Sequence, residues 1–275
     1  QGEANDAQYE VGTVLGDVCA SQGCDFVLLL GDNFYDTGVA GVDDEQWQTK
    51  FELPYEGIDL PFYAVLGNHD YGGTNHLDKA EHQIAYTDVS ERWTMPDHFF
   101  SHTTSNVDLY ALDTSPPQFP LSLGEVGTRQ ETWLGQQFVD FEPDDRWRIV
   151  YAHHPYLSNG KHGNAGNYDG FPDTFTLSGQ PNKELLEQHV CGVADIYLCG
   201  HDHDREWLQD TCDGTELIVS GAGSKLRDFY DTQPVHWQDS TTTGLTWFEI
   251  DDETITIEMW DRDGTLAFSG GWTRE

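Results

Sequence analysis

Four times along this chain of 275 residues, a short apolar run ends in a cluster of glycine, asparagine, aspartate or histidine, and this recurrence limits the fold more than any other feature. Residues 25–30 run into Gly31-Asp32-Asn33-Phe34-Tyr35, and 61–66 into Gly67-Asn68-His69-Asp70. Residues 146–152 lead to His153-His154-Pro155, and 195–199 to Gly200-His201-Asp202-His203. Apolar runs of this length without alternation read as strands buried on both faces. Open α/β sheets place their sites just beyond the C-terminal ends of such strands. Four strand ends thereby deliver Asp, Asn and His to one edge, and glycine ahead of three of the clusters lets the backbone turn sharply out of the sheet.

Between these strands lie helical patterns at 6–21, 43–51, 75–92, 127–141 and 182–189, with a further strand at 107–112. From Arg205 onward strands follow one another without helices, at 206–209, 216–220, 245–250, 254–260 and 266–270. Alternating β and α followed by a β-rich tail predicts an α/β fold: a four-layer α/β/β/α sandwich of two mixed β-sheets flanked by helices. Two irregular segments, 156–180 and 221–244, are rich in Gly, Asn and Asp, as functional loops often are. No repeat or linker interrupts the chain, so residues 1–275 read as a single domain.

Charge narrows the partners. Lys and Arg total 13 against 49 Asp and Glu, a net charge of −36. Nucleic-acid binding rests on cations that neutralise phosphates, so nucleic acid and anionic membranes are excluded as partners, and a small phosphorylated substrate is not. No apolar run reaches membrane-spanning length. The acidic excess fits a salty or extracellular setting, and no EF-hand spacing turns it into a calcium site. Of five cysteines, Cys19 and Cys24 flank a turn and Cys191 and Cys212 bracket the strand before the densest motif. Disulfides Cys19–Cys24 and Cys191–Cys212 are expected, with Cys199 free on a buried strand; five reduced, buried thiols are the alternative. Paired cysteines point to an oxidising compartment, secreted or periplasmic.

Carboxylate, amide oxygen and imidazole suit Fe, Zn or Mn better than thiolate-seeking metals. A carboxylate can bridge two cations, and paired cations can clamp a phosphoryl oxygen and generate hydroxide from water. His162 lies in a glycine-rich loop and reads equally as a solvated residue. His154 sits beside a candidate ligand but is expected to point elsewhere. Tyr35 either packs under its loop or binds metal. His76, His82, His98, His102, His189 and His236 lack motif context and read as surface residues. Trp93, Trp133 and Trp147 read as core.

GDNFY, GNHD, HHP and GHDH, in this order, resemble the motifs of the metallophosphoesterase (calcineurin-like) superfamily, and the Tyr three residues after Asp32 is similar to its purple acid phosphatase, or tartrate-resistant acid phosphatase, branch. The resemblance runs from about residue 6 to 223, is weakest in the tail, and implies a secreted bacterial member. It implies a dimetal site at the C-terminal strand edge, with Fe(III) and a divalent ion (Fe, Zn or Mn). Asp32 would bridge them, Tyr35 and His203 would bind the ferric ion, and Asn68, His153 and His201 the divalent one. His69 would contact the phosphate and assist the leaving group, and His162 would donate a proton. Asp70 and Asp202 would accept the outer N–H groups of the ligating imidazoles. The implied reaction is hydrolysis of phosphate monoesters by a metal-bound hydroxide. A phosphodiesterase or nucleotide pyrophosphatase on the same core is one alternative. A non-catalytic secreted metal-binding or surface protein is another. The family pattern opens with a strand ending in Asp-x-Gly. No apolar run precedes the first helix here, so that strand and its aspartate are expected to be missing through truncation or processing, with genuine loss as the alternative.

Overall fold

The computed structural model describes residues 1–72, 76–138 and 146–274. Helix α1 (Asp6–Gln22) starts where the Asn5 side chain accepts the Gln8 N–H at 3.0 Å and ends at Gly23, whose φ of 92° lets its N–H reach back to the Cys19 carbonyl. This is the expected pairing of an Asn cap and a glycine stop. Strands β1 (Val27–Leu29) and β2 (Phe62–Ala64), helix α2 (Leu77–Ala85) and strand β3 (Trp93–Thr94) follow. Strands β4 (Phe100–Thr103) and β5 (Val107–Ala111), helix α3 (Pro120–Gln137), strand β6 (Trp147–Tyr151) and helix α4 (Gln180–His189) come next. The rest is β7 (Ile196–Cys199), β8 (Arg205–Leu208), β9 (Glu216–Ser220), β10 (Val235–Asp239), β11 (Gly244–Ile250), β12 (Thr254–Asp261) and β13 (Leu266–Thr273).

One sheet is seven-stranded and mixed, ordered β10-β8-β9-β7-β6-β5-β4, with β5, β6, β7 and β9 parallel. Every residue of β5, β6 and β7 is buried, as continuous apolar runs in parallel strands demand. On one face Leu134 of α3 and Leu185 and Leu186 of α4 pack on Tyr110, Val150 and Tyr197. On the other face Leu109, Ile149 and Ile196 meet Tyr63 of β2 and Ile255, Ile257 and Met259 of β12. The second β layer is two three-stranded sheets, parallel β1-β2-β3 and antiparallel β11-β12-β13. Phe34, Trp47, Phe51 and Trp93 fill the space outside β1-β2-β3, and α1 packs on β11 and β12. The four layers therefore hold, but the second is divided. β1 and β11 are both edge strands, and a cavity of about 870 Å³ lies between them, lined by Val11, Leu28 and Trp247 among others. Val27 and Leu28 border it and are only half-buried, so β1 is not buried on both faces as its sequence suggests.

Other departures are local. The helix expected at 43–51 is a short π-helical turn at Gln48–Glu52. The one expected at 75–92 is α2 plus a 3-10 turn at Tyr86–Asp88, and Asn75 lies outside the described residues. Helix α3 begins at Pro120, whose fixed φ suits a first helical position, and residues 139–141 of the predicted helix lie outside the described ones. Strand β10, inside the segment read as a loop, adds to the sheet edge through β8. Both expected disulfides are present, and Cys199 is free and buried on β7. Trp93 and Trp147 are core residues, and Trp133 is half-buried against Phe99. His98 is not a surface residue: it is buried, with Nδ1 2.9 Å from the Tyr71 hydroxyl and 3.0 Å from Asp113 Oδ2, and Nε2 3.3 Å from Glu81.

Candidate metal centre

The four motif-bearing strands belong to two sheets. Their C-terminal ends meet where β1 and β2 of the small sheet face β6 and β7 of the large one. Gly31, at φ 82°, and Asp32, at φ 51°, swing the chain out of β1 in the left-handed region. A Cβ on Gly31 would stand 2.7 Å from His153 Nδ1, so glycine is what lets the β1 and β6 clusters close on each other.

Asp32 is central. Its Oδ2 accepts the Tyr35 hydroxyl at 2.7 Å, and its Oδ1 accepts the His69 backbone N–H at 2.9 Å and lies 3.3 Å from His153 Nε2. Tyr35 Oη is 3.0 Å from His203 Nε2. His153 donates its Nδ1–H to the Leu30 carbonyl at 2.8 Å, which turns Nε2 toward Asn68 Oδ1 at 3.2 Å and His201 Nδ1 at 3.1 Å. The six expected ligands thus form two groups sharing Asp32: Tyr35 with His203, and Asn68 with His153 and His201. His154 also belongs here. One ligand atom each of His153, His154 and His201 lies within 4.8 Å of the others, although His154 Nδ1 is held by Thr114 Oγ1 at 2.8 Å.

This donor set fits a metal. A carboxylate oxygen, an amide oxygen and imidazole nitrogens converge with few protons to share among them, and the buried His203 Nδ1 has no hydrogen-bond partner among the described residues. Burial opposes ionisation of Asp32, yet His153 holds its carboxyl far below the usual range. Burial likewise opposes a charge on His153, but Asp32 raises it; the cluster draws in positive charge. Burial and the neighbouring His154 push His201 well below its ordinary value, and burial followed by Arg227 brings His203 down to about 3. Both are neutral imidazoles, the form that binds metal.

His69 and His162 flank the candidate ligands. His69 donates Nδ1–H to the Asp36 carbonyl at 2.7 Å, its ring 4.5 Å from that of Tyr35, so Nε2 carries the lone pair. The His162 ring lies on His201 at 4.1 Å, with Nδ1 2.9 Å from Asp169 Oδ1 and Nε2 against Arg227 Nη1. Arginine only donates, so His162 Nε2 accepts and its proton is on Nδ1, facing Asp169.

Asp70 and Asp202 do not serve the imidazoles. Asp70 accepts the backbone N–H groups of Asn33, Phe34 and Gly67 at 2.8–3.1 Å and the Gln83 amide at 2.9 Å, tying the β1 and β2 clusters together. Burial and then Asp32 raise its carboxyl to about 6. Asp202 accepts the N–H groups of His162 at 2.7 Å and Gly163 at 3.2 Å. Glu206, whose carboxyl burial raises to about 7, accepts Ser158 Oγ–H at 2.8 Å and Asn159 N–H at 3.0 Å. Two buried carboxyls therefore root the His162 loop. Asp169, Arg227 and Glu206 carry no motif, and Arg227 and Glu206 meet the His162 loop across 65 and 48 residues, which is why the sequence reading passes over them.

Residues 5–205 match the family model described as calcineurin-like phosphoesterase. The chain is 30% identical over 288 residues to the tartrate-resistant acid phosphatase type 5 of Oryctolagus cuniculus, covering 92% of this chain and 81% of that one. It is 29% identical over 280 residues to the Homo sapiens enzyme of that name, covering 90% and 78%, and 31% identical over 235 residues to purple acid phosphatase 3 of Arabidopsis thaliana, covering 79% and 59%. Among solved structures, GAP50, titled the anchor in the inner membrane complex of Plasmodium, matches with a TM-score of 0.77 at 19% identity, covering 100% of this chain and 86% of that one; this likeness concerns the fold.

Proposed function

This chain belongs to the calcineurin-like phosphoesterase family and is a phosphoester hydrolase, and on that premise we propose that it hydrolyses small phosphate monoesters at a dinuclear metal centre. The observation that carries the proposal is the division of five convergent side chains into two groups around Asp32. Tyr35 and His203 would hold an Fe(III) ion, Asn68, His153 and His201 would hold a divalent Fe, Zn or Mn ion, and the Asp32 carboxylate would serve both groups. When bound, such a pair supplies Lewis acidity at the phosphoryl oxygens and lowers the pKa of water.

The chain's own residues do the rest. Leu30 and Asp36 carbonyls fix the tautomers of His153 and His69, so each presents Nε2 inward. His69, free of any partner at Nε2 among the described residues, takes the phosphoryl or leaving-group oxygen. His162 keeps its proton on the Asp169 side, and its Nε2, which accepts from Arg227, becomes a proton donor only when Arg227 lets go and that nitrogen takes up a proton from solvent. Asp202 and Glu206 hold that loop at a fixed distance from His201. The two disulfides support a secreted or periplasmic setting, and no described helix is long and apolar enough to cross a membrane.

Elemental analysis together with substrate turnover tests this. Two metal atoms per chain, at least one of them iron, and faster turnover of p-nitrophenyl phosphate than of bis(p-nitrophenyl) phosphate are expected. One atom or none, in protein purified so as to keep its metal, overturns the dinuclear centre. A preference for the diester moves the activity to the phosphodiesterase alternative.

A further inference from the structure

The segment between β9 and β10 carries two cations, Lys225 and Arg227, in a chain with 49 acidic residues and only 13 Lys and Arg. An ion pair is the default for any cation here, and Lys225 follows it, pairing with Glu3 while its Nζ lies 3.6 Å from the Tyr35 ring centroid. Arg227 departs from it. Among the described residues its guanidinium forms no ion pair with a carboxylate; Nη1 donates to His162 Nε2 instead. Its backbone N–H donates to the His203 carbonyl at 3.0 Å, which anchors the residue at the rim of the centre with a half-buried side chain. A guanidinium offers five N–H donors in a fork that matches phosphate oxygens, so most of its capacity is open. Lys161, next to His162, is exposed and likewise without an ion pair among the described residues.

Position decides what such a cation would bind. The His162 ring lies tilted against that of the candidate ligand His201, centroids 4.1 Å apart, and Arg227 caps the His162 Nε2. Arg227 therefore stands one imidazole away from the converging ligand atoms. An anion on its fork would be the neighbour of the phosphoryl group at the centre, and not that group itself.

We infer that Arg227 forms an anion subsite beside the centre, selecting substrates that carry a second phosphate next to the scissile one, phosphoric anhydrides of the diphosphate type, over monoesters of uncharged alcohols. The inference rests on the phosphoesterase reading given above. In the reaction, water oxygen bonds to the scissile phosphorus and the bridging P–O bond breaks. The electron pair leaves on the second phosphate, the group held by Arg227, and the proton lost by water ends on one of the two phosphates released.

The test compares the metal-loaded full chain with its Arg227→Ala and Arg227→Lys variants on inorganic pyrophosphate and phenyl phosphate. For Arg227→Ala, kcat/KM for pyrophosphate should fall at least about tenfold further than for phenyl phosphate, the factor that one charge-assisted hydrogen bond supplies. Arg227→Lys, which keeps the charge and loses the fork, should recover part of the difference. Calorimetric binding of methylenediphosphonate, relative to inorganic phosphate, should weaken by a similar factor in Arg227→Ala. Equal losses on both substrates, or unaltered methylenediphosphonate binding, overturn the subsite and place Arg227 on the scissile group or on His162 alone. A wild-type protein that cleaves neither substrate defeats the phosphatase reading instead, and the binding comparison then still decides the subsite.

Discussion

The convergence of the candidate ligands was legible because each sits at a fixed offset from a strand end, and chain geometry alone carries Asp32, Asn68, His153 and His201 to one edge. The roles of Asp70 and Asp202 were not legible. Both accept backbone N–H groups of loops whose approach no local pattern reveals. His154 shows the same limit from the other side, since strand alternation points it away from His153 but the chain has already left β6 there. Gly31 offers the sharpest test at this scale. Its φ of 82° is costly for any side chain, and an added Cβ would meet His153 Nδ1 at 2.7 Å and the Gly67 N at 2.8 Å. Left-handed backbone alone costs about 1–2 kcal/mol for an L-residue, and the displaced imidazole adds to it. Gly31→Ala is expected to lower stability by at least about 1 kcal/mol and to reduce metal retained per chain, with the far-ultraviolet circular dichroism of the folded state preserved. Wild-type metal content and melting temperature in this variant would show that the β1 and β6 clusters do not depend on this contact.

Among elements, the parallel strands β5, β6 and β7 were readable because burial on both faces writes a continuous apolar run. Strands β3 and β4 were not, being two and four residues long with half-exposed positions, and β10 is a strand only because β8 offers it an edge. A link between elements also escaped notice. His98, just before β4, bonds to Asp113 beyond β5 and to Glu81 of α2, with Tyr71 sharing the Asp113 oxygen. Burial disfavours charge on His98, but Asp113 and then Glu81 outweigh it and raise its pKa above the ordinary value. A group whose folded pKa is raised contributes stability that is fully present below the unfolded value, about 6.5 for histidine, and is lost as pH rises through the folded value. The stability difference between wild type and His98→Gln, measured by urea unfolding, should therefore be largest below about pH 6.5 and shrink as pH rises from there through the raised folded value. A difference that stays constant across this range would mean that His98 is neutral throughout and acts by packing alone.

For the molecule as a whole, the four layers followed from the order of helices and strands, whereas the division of the second layer did not, because sequence cannot tell which edge strands pair. Net charge is the other property of this scale, and it sets two electrostatic effects against each other. Surface ion pairs such as Arg129–Asp97 and Arg262–Glu10 weaken as salt rises, but exposed pairs of this kind are worth about 0–1 kcal/mol each. Opposing them is the mutual repulsion of a −36 chain, which folding concentrates and unfolding relieves. With so few cations to pair, repulsion has many more terms, and screening should stabilise the folded state. The Debye length falls from about 10 Å at 0.1 M to about 3 Å at 1 M salt, so the melting temperature is expected to rise across that range. Sodium and potassium chloride should act alike at equal ionic strength, because screening is blind to the cation, whereas a gain specific to one of them would indicate bound ions. A melting temperature that falls with both salts would mean that the few ion pairs outweigh the repulsion, and that the surface carboxylates are far enough apart to be nearly independent before any salt is added.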